Sequence, residues 1–143
     1  MRWVTRERPK TDRIACPWLI KRFIDPDAEI IYVADDRVLD VAQSSGGNSF
    51  DAPGATYTHR GSQCSFEVLI DEFGLRENAA LARLAKIVHA ADVVSDLRTD
   101  EIGPGLLAIG IGGLLVEDDD EQLLDRGLFV YDALYAWCQL EVG

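Results

Sequence analysis

The sequence predicts an α+β fold: a small N-terminal sheet of short strands packed by about five or six helices, with a helical second half. Three observations carry this expectation. β-favouring runs such as Ile30, Ile31, Tyr32 and Val33 are confined to the first sixty residues. From Cys64 onward, apolar residues recur at intervals of three and four. No repeat, linker or low-complexity tract interrupts the 143 residues, a length usual for one domain, so the expectation is a single unit spanning 1–143.

Taken in order, Trp3 to Glu7 and Glu29 to Val33 read as short strands. Between them Asp12 is placed to cap a helix running to about Ile24. Its apolar residues Ile14, Trp18, Leu19 and Phe23 fall near the helical period, and Asp25 followed by Pro26 stops it. A short helix is expected from Asp35 to Ser44, then a loop over the SSGGN run at 44–48. Brief extended pieces are expected around Phe50 and from Thr56 to His59, joined by a turn at Pro53 and Gly54. A helix from Cys64 presents Phe66, Leu69, Ile70 and Phe73 on one face and closes at Gly74. Ala79 to Ala91 forms the next helix, followed by a looser polar segment from Val94 to Gly105. Leu106 to Val116 is apolar on nearly all sides and predicts a buried helix weakened by its glycines. The last helix, about Asp120 to Leu140, carries a stripe of Leu124, Leu128, Tyr131, Tyr135 and Cys138. Leu123, Val130, Leu134 and Trp137 widen it, which predicts a largely enclosed helix.

Composition narrows the function classes. Hydrophobic residues make up 48% and charged residues 27%, ordinary globular values that exclude disorder. The formal net charge of -11 argues against binding to nucleic acid or to an anionic membrane surface. That charge is uneven: residues 1–22 carry seven basic and two acidic side chains, and all of the negative excess lies beyond them. The N-terminus has no signal-peptide core, and the longest apolar stretch, Gly103 to Val116, is short for a membrane span. Three well-separated cysteines, Cys16, Cys64 and Cys138, do not make a disulfide framework. A cytoplasmic setting with reduced thiols is the expectation.

The candidate chemistry gathers around the two histidines. His59 precedes Cys64 by five residues and Glu67 by eight, and on a helix starting at Cys64 the thiol and the carboxylate share one face. His89 and Asp92, three apart, share a face of the following helix. Brought together, His59, Cys64, Glu67, His89 and Asp92 would offer two imidazoles, two carboxylates and a thiolate, a set that suits Mn, Fe or Zn. The pattern also has a plainer reading, in which Glu67 completes a first-turn cap, Asp92 caps the next segment and both histidines are solvated. Arg6, Arg8 and Lys10 alternate, so on a strand they point one way. Arg6 and Arg8, with Arg13 and Arg60, make a candidate site for a small oxyanion; charges protecting an edge strand are the alternative. Cys16 and Cys138 read as packed thiols. Asp132 reads as a partner of Tyr131 and Tyr135 or as an exposed residue. No phosphate-binding glycine loop and no nucleophile elbow is present.

Three runs carry a resemblance. Residues 3–25 (WVTRERPKTDRIACPWLIKRFID) resemble the opening of the C-terminal domain of ChrB-type chromate resistance proteins. FDAPG at 50–54 with THRGSQCSFE at 58–67 is similar to that family's second signature, and YDALYAWC at 131–138 resembles its end. The IVHAAD run at 87–92 also looks family-like. The resemblance implies a role in chromate resistance, often beside an efflux pump, and it places the family's histidine-glycine-cysteine segment on His59, Gly61 and Cys64. The longer family members act as chromate-responsive regulators. This chain starts at the domain, so a DNA-binding regulatory role is not expected of it.

The resulting expectation is a metal-binding, redox-active accessory protein in chromate resistance or oxidative-stress handling. The alternative is a non-catalytic sensor of chromate or sulfate, or a regulatory interaction domain. Whether a reaction is catalysed, and whether the chain forms a homo-oligomer, the sequence leaves open.

Overall fold

The computed structural model describes residues Met1–Gly143. Strand β1 (Arg2–Arg6) is the centre of a three-stranded parallel sheet, between β2 (Glu29–Val33) and β3 (Asn48–Ser49). The register pairs Arg2 with Glu29 through Arg6 with Val33 on one side, and Trp3 with Asn48 and Val4 with Ser49 on the other. A parallel sheet needs crossovers. Helix α1 (Asp12–Leu19) makes the first, and α2 (Val38–Ser45), entered through a 3₁₀ turn, makes the second. Composition alone marked residues 44–48 as loop, so β3 is legible only through its partner. Trp3, Val4 and Thr5 are all buried, as a central parallel strand requires. Successive side chains point to opposite faces. Trp3 therefore joins the main core, while Val4 joins Val38, Ala42, Ala52 and Ala55 beneath α2.

Helix α1 continues as a π-helical stretch, Ile20–Ile24. Pro17 lies inside it, and a proline has no N–H to offer the carbonyl four residues back. That carbonyl, of Arg13, accepts a 2.7 Å hydrogen bond from the Tyr32 hydroxyl instead. The expected cap at Asp12 is corrected: Thr11 occupies the cap position, and Asp12 is the first helical residue with its carboxylate aimed elsewhere.

Helices α3 (Ser65–Glu72), α4 (Ala79–Asp92), α5 (Gly103–Val116) and α6 (Asp120–Val142) form the second half. Gly74 takes φ 68° just past α3, the left-handed position that its glycine predicts. Helix α4 is the hub, packing against α1, α3, α5 and α6. Its Ala90 allows the backbone of α5 so close that a Cβ on Gly103 would lie 2.6 Å from the Ala90 Cβ.

Two expectations of enclosure are corrected. Helix α5 turns Gly103 and Leu106 inward, yet Ile109, Ile111, Leu115 and Val116 are exposed, Leu115 at 80%. Helix α6 buries Leu123, Leu124, Tyr131 and Cys138 but exposes Phe129 and Leu140 and leaves Trp137 on the rim beneath the Arg83 guanidinium. Helix α5 packs chiefly on α4, and α6 on α1 and α4, and their remaining faces meet solvent.

Candidate metal centre

The sheet and α1 determine what meets what. Asp12 is wholly buried, and its carboxylate accepts the N–H groups of Ser65 (2.8 Å) and Phe66 (3.2 Å), the first two residues of α3. A carboxylate there is favoured by the unsatisfied donors and positive end of the helix. Asp51 follows β3 and is also buried. Its Oδ1 accepts the Ser65 hydroxyl at 2.7 Å, and its Oδ2 lies 3.5 Å from both the Arg6 and the Arg13 guanidinium. Asp92 ends α4 and turns its carboxylate to the same point.

That point is His59 Nε2. It lies 3.1 Å from Asp92, 3.4 Å from Asp51 and 3.6 Å from Asp12. The imidazole is 46% exposed, so it closes the outer side of the buried Asp12 and Asp51 and the half-buried Asp92 and opens the group to solvent. The backbone is strained on both inner sides: Thr11 (φ 46°) and Asp51 (φ 47°) sit in the left-handed region without being glycine.

Three carboxylates meet His59 here, and Arg6 and Arg13 pair with Asp51 alone, so burial weighs most on Asp12 and Asp92. Burial pushes Asp12 up to about 7, with the charges of Asp51 and Asp92 adding to it and His59 opposing. Burial, then the Asp51 charge, raises Asp92. Burial also acts on Asp51, but His59, Ser65 and the two arginines outweigh it and hold this carboxyl below its ordinary value. Asp12 and then Asp51, working against burial, lift His59 to about 10. The imidazolium is thus the cation that the three carboxylates share.

A second group lies on the other side of the α3 N-terminus. Glu67 Oε1 accepts the Cys64 N–H at 3.0 Å and sits 2.5 Å from His89 Nδ1. The other ring nitrogen, Nε2, is 2.7 Å from Asp96, in the 3₁₀ turn Val94–Thr99 that follows α4. Asp96 and Glu67 together raise the His89 imidazole although its burial opposes this. Cys64 is fully buried, which drives its thiol far above the ordinary value.

The five residues expected to share one site thus fall into two neighbouring groups. His59 and Asp92 stand with Asp12 and Asp51, and Cys64, Glu67 and His89 with Asp96. Within each, three potential ligand atoms lie within 4.8 Å of one another: those of Asp12, His59 and Asp92, and those of Cys64, Glu67 and His89. Sequence reasoning missed Asp12, Asp51 and Asp96. The first two stand inside the TDR and FDAPG runs that carry the resemblance, which was the available signal.

The four arginines do not converge. Arg6 and Arg13 meet on Asp51. Arg8 donates to the carbonyls of Leu114, Glu117 and Asp118 at the end of α5 and pairs with Asp120. Arg60 pairs with Glu72. The alternation that would have aligned them fails because β1 ends at Arg6, and Arg8 takes a positive φ of 54°. Asp132 partners neither tyrosine. It accepts the Trp18 indole N–H at 2.7 Å and a paired contact from Arg22. Cys16 and Cys138 are buried free thiols, as expected.

Fold and site together define a small α+β domain built around a carboxylate-rich, imidazole-closed polar centre. The chain belongs to the ChrB C-terminal domain family, whose model matches residues 3–138. It is 41% identical over 133 residues to Protein ChrB of Cupriavidus metallidurans (strain CH34), an alignment covering 93% of this chain and 39% of that protein. The chain thus spans well under half the length of that relative. No solved structure matches it. No helix is long and apolar enough to cross a membrane.

Proposed function

We propose that the chain is a metal-binding accessory protein in chromate resistance, and that its principal centre takes one divalent ion between Asp12, His59 and Asp92, with Asp51 beside them. The observation that carries this reading is the convergence of three carboxylates, two of them buried, on a single imidazole nitrogen. Asp51 has Arg6 and Arg13, but Asp12 and Asp92 have only His59, and a divalent cation would neutralise that pair better than one proton on the imidazole. Oxygen-rich ligands with one imidazole suit Mn(II) or Fe(II) better than softer ions. Such an ion would supply Lewis acidity and, as Mn or Fe, a redox couple. The protein's part is to hold Asp12 on the α3 N-terminus, to keep Asp51 ionised with Arg6 and Arg13, and to surrender the His59 proton on binding.

The chromate context rests on membership of the ChrB family, and the three reduced cysteines fit a cytoplasmic setting. A direct oxyanion sensor has less support, since Arg6, Arg8, Arg13 and Arg60 already have acceptors within the chain. Elemental analysis of protein purified without a chelator or an affinity metal tests the reading. About one Mn or Fe per chain, lost in His59→Ala and Asp92→Asn, is the expected result. A chain that retains no metal and takes up neither Mn(II) nor Fe(II) at millimolar concentration would overturn it.

A further inference from the structure

Cys64, Glu67 and His89 are arranged unlike the first centre. Glu67 spends one oxygen, Oε1, on both the Cys64 N–H and His89, and the Cys64 side chain accepts the Glu67 N–H in return, so the first-turn cap that the sequence allowed is formed. The His89 ring is held from behind by Asp96 on Nε2, which leaves Nδ1 facing Glu67. A carboxylate on the far nitrogen of an imidazole is the arrangement that orients metal-binding histidines and fixes their tautomer. Beside Glu67 and His89 opens a cavity of about 250 Å³, whose remaining lining is Lys86 and Thr99.

We propose that Cys64 Sγ, Glu67 and His89 Nδ1 form a second, separate site for a borderline-soft divalent ion of the zinc class, with Asp96 as its positioning residue. The thiolate sets its preference apart from that of the all-oxygen-and-imidazole centre. Three ligand atoms within 4.8 Å of one another approach the spacing of about 3.5 Å that a tetrahedral Zn(II) with these ligands requires. The thiol and imidazolium protons leave as the ion enters. The cavity beside Glu67 and His89 would admit a further ligand, and Lys86 there favours water or a small anion over a cationic one. The two centres share the α3 N-terminus and helix α4, since Asp12 holds Ser65 next to Cys64, and His89 and Asp92 stand three residues apart on one helix.

Co(II) added to the purified full chain tests this, because a cobalt thiolate gives a near-ultraviolet charge-transfer band that oxygen and nitrogen ligands do not. The expected result is two Co(II) per chain with that band present. Cys64→Ser removes the band and one ion, and Asp96→Asn retains both but weakens the second ion tenfold or more. His59→Ala loses the other ion and keeps the band. Absence of the band at saturating Co(II), its survival in Cys64→Ser, or its loss in folded His59→Ala overturns the proposal. Should Cys64→Ser not fold, survival of the band in His89→Gln overturns it equally. A chain with the band and only one ion leaves this site standing and removes the principal centre.

Discussion

The Asp12 carboxylate accepts the backbone N–H of Ser65 at 2.8 Å, joining the first residue of α1 to the first residue of α3 across 53 positions of sequence. One side chain thus closes a helix terminus and contributes to a charged centre, and its two roles separate by substitution. Asparagine keeps one acceptor for the two α3 N–H groups, turns a donor toward the other, and removes the repulsion from Asp51 and Asp92. Asp12→Asn, which strands one buried N–H, is therefore expected to lose about 1–2 kcal/mol in urea denaturation, and Asp12→Ala, which strands both, about 3 kcal/mol. Both are expected to lose the metal of the principal centre, measured by elemental analysis.

The same centre sets a pH dependence. His59 is raised from 6.5 to about 10, so its stabilising contribution is complete below 6.5 and disappears as pH rises toward 10. Asp12 is raised from 3.8 to about 7, so the cost of its burial grows across that interval. Both act in one direction: the folded metal-free chain binds more protons than the unfolded chain. Its stability is expected to fall steadily from about pH 5 to about pH 9 in urea titrations. If the proposed centre binds Mn(II), the added ion is expected to oppose the trend, because it competes with those protons; a metal-free profile that rises with pH contradicts the arrangement.

Arg8 makes no contact with the centre. Its guanidinium donates to the Leu114, Glu117 and Asp118 carbonyls, which close α5, and pairs with Asp120 at the start of α6. Arg8→Ala is expected to cost about 2 kcal/mol in thermal or urea unfolding. Lysine cannot reach three carbonyls and a carboxylate at once, so Arg8→Lys recovers less than half of that loss. Metal content is unchanged in both.

Gly127 marks where α6 crosses α1. A Cβ there would lie 2.4 Å from Cγ2 of Ile14, a buried and β-branched side chain with little room to turn. Gly127→Ala gains helix propensity, yet overpacking wins, and about 2 kcal/mol of destabilisation is expected. Ile14→Ala in the same chain relieves the clash, so the double variant is less destabilised than the two single changes summed.

The sequence by itself determined the helices, the two longer strands and the class. Those depend on periodicity and on local signals, such as Gly74 beyond α3 and Asp25 followed by Pro26 beyond α1, which act within a few residues. It also marked the histidines and their near neighbours, because Cys64 with Glu67 and His89 with Asp92 stand three apart on one helix. Only the tertiary structure decided which of them meet. Asp12 and His59 are 47 residues apart, and β1, β3 and the α3 N-terminus bring them together with Asp51. Whether an apolar helix is enclosed is likewise not a property of the helix. Helix α5 is apolar on every side, but it packs chiefly on α4, so Ile109, Ile111 and Leu115 face outward. Local pattern sets the conformation of a segment. Burial and the convergence of charges depend on what packs against it, and residues distant in sequence supply that.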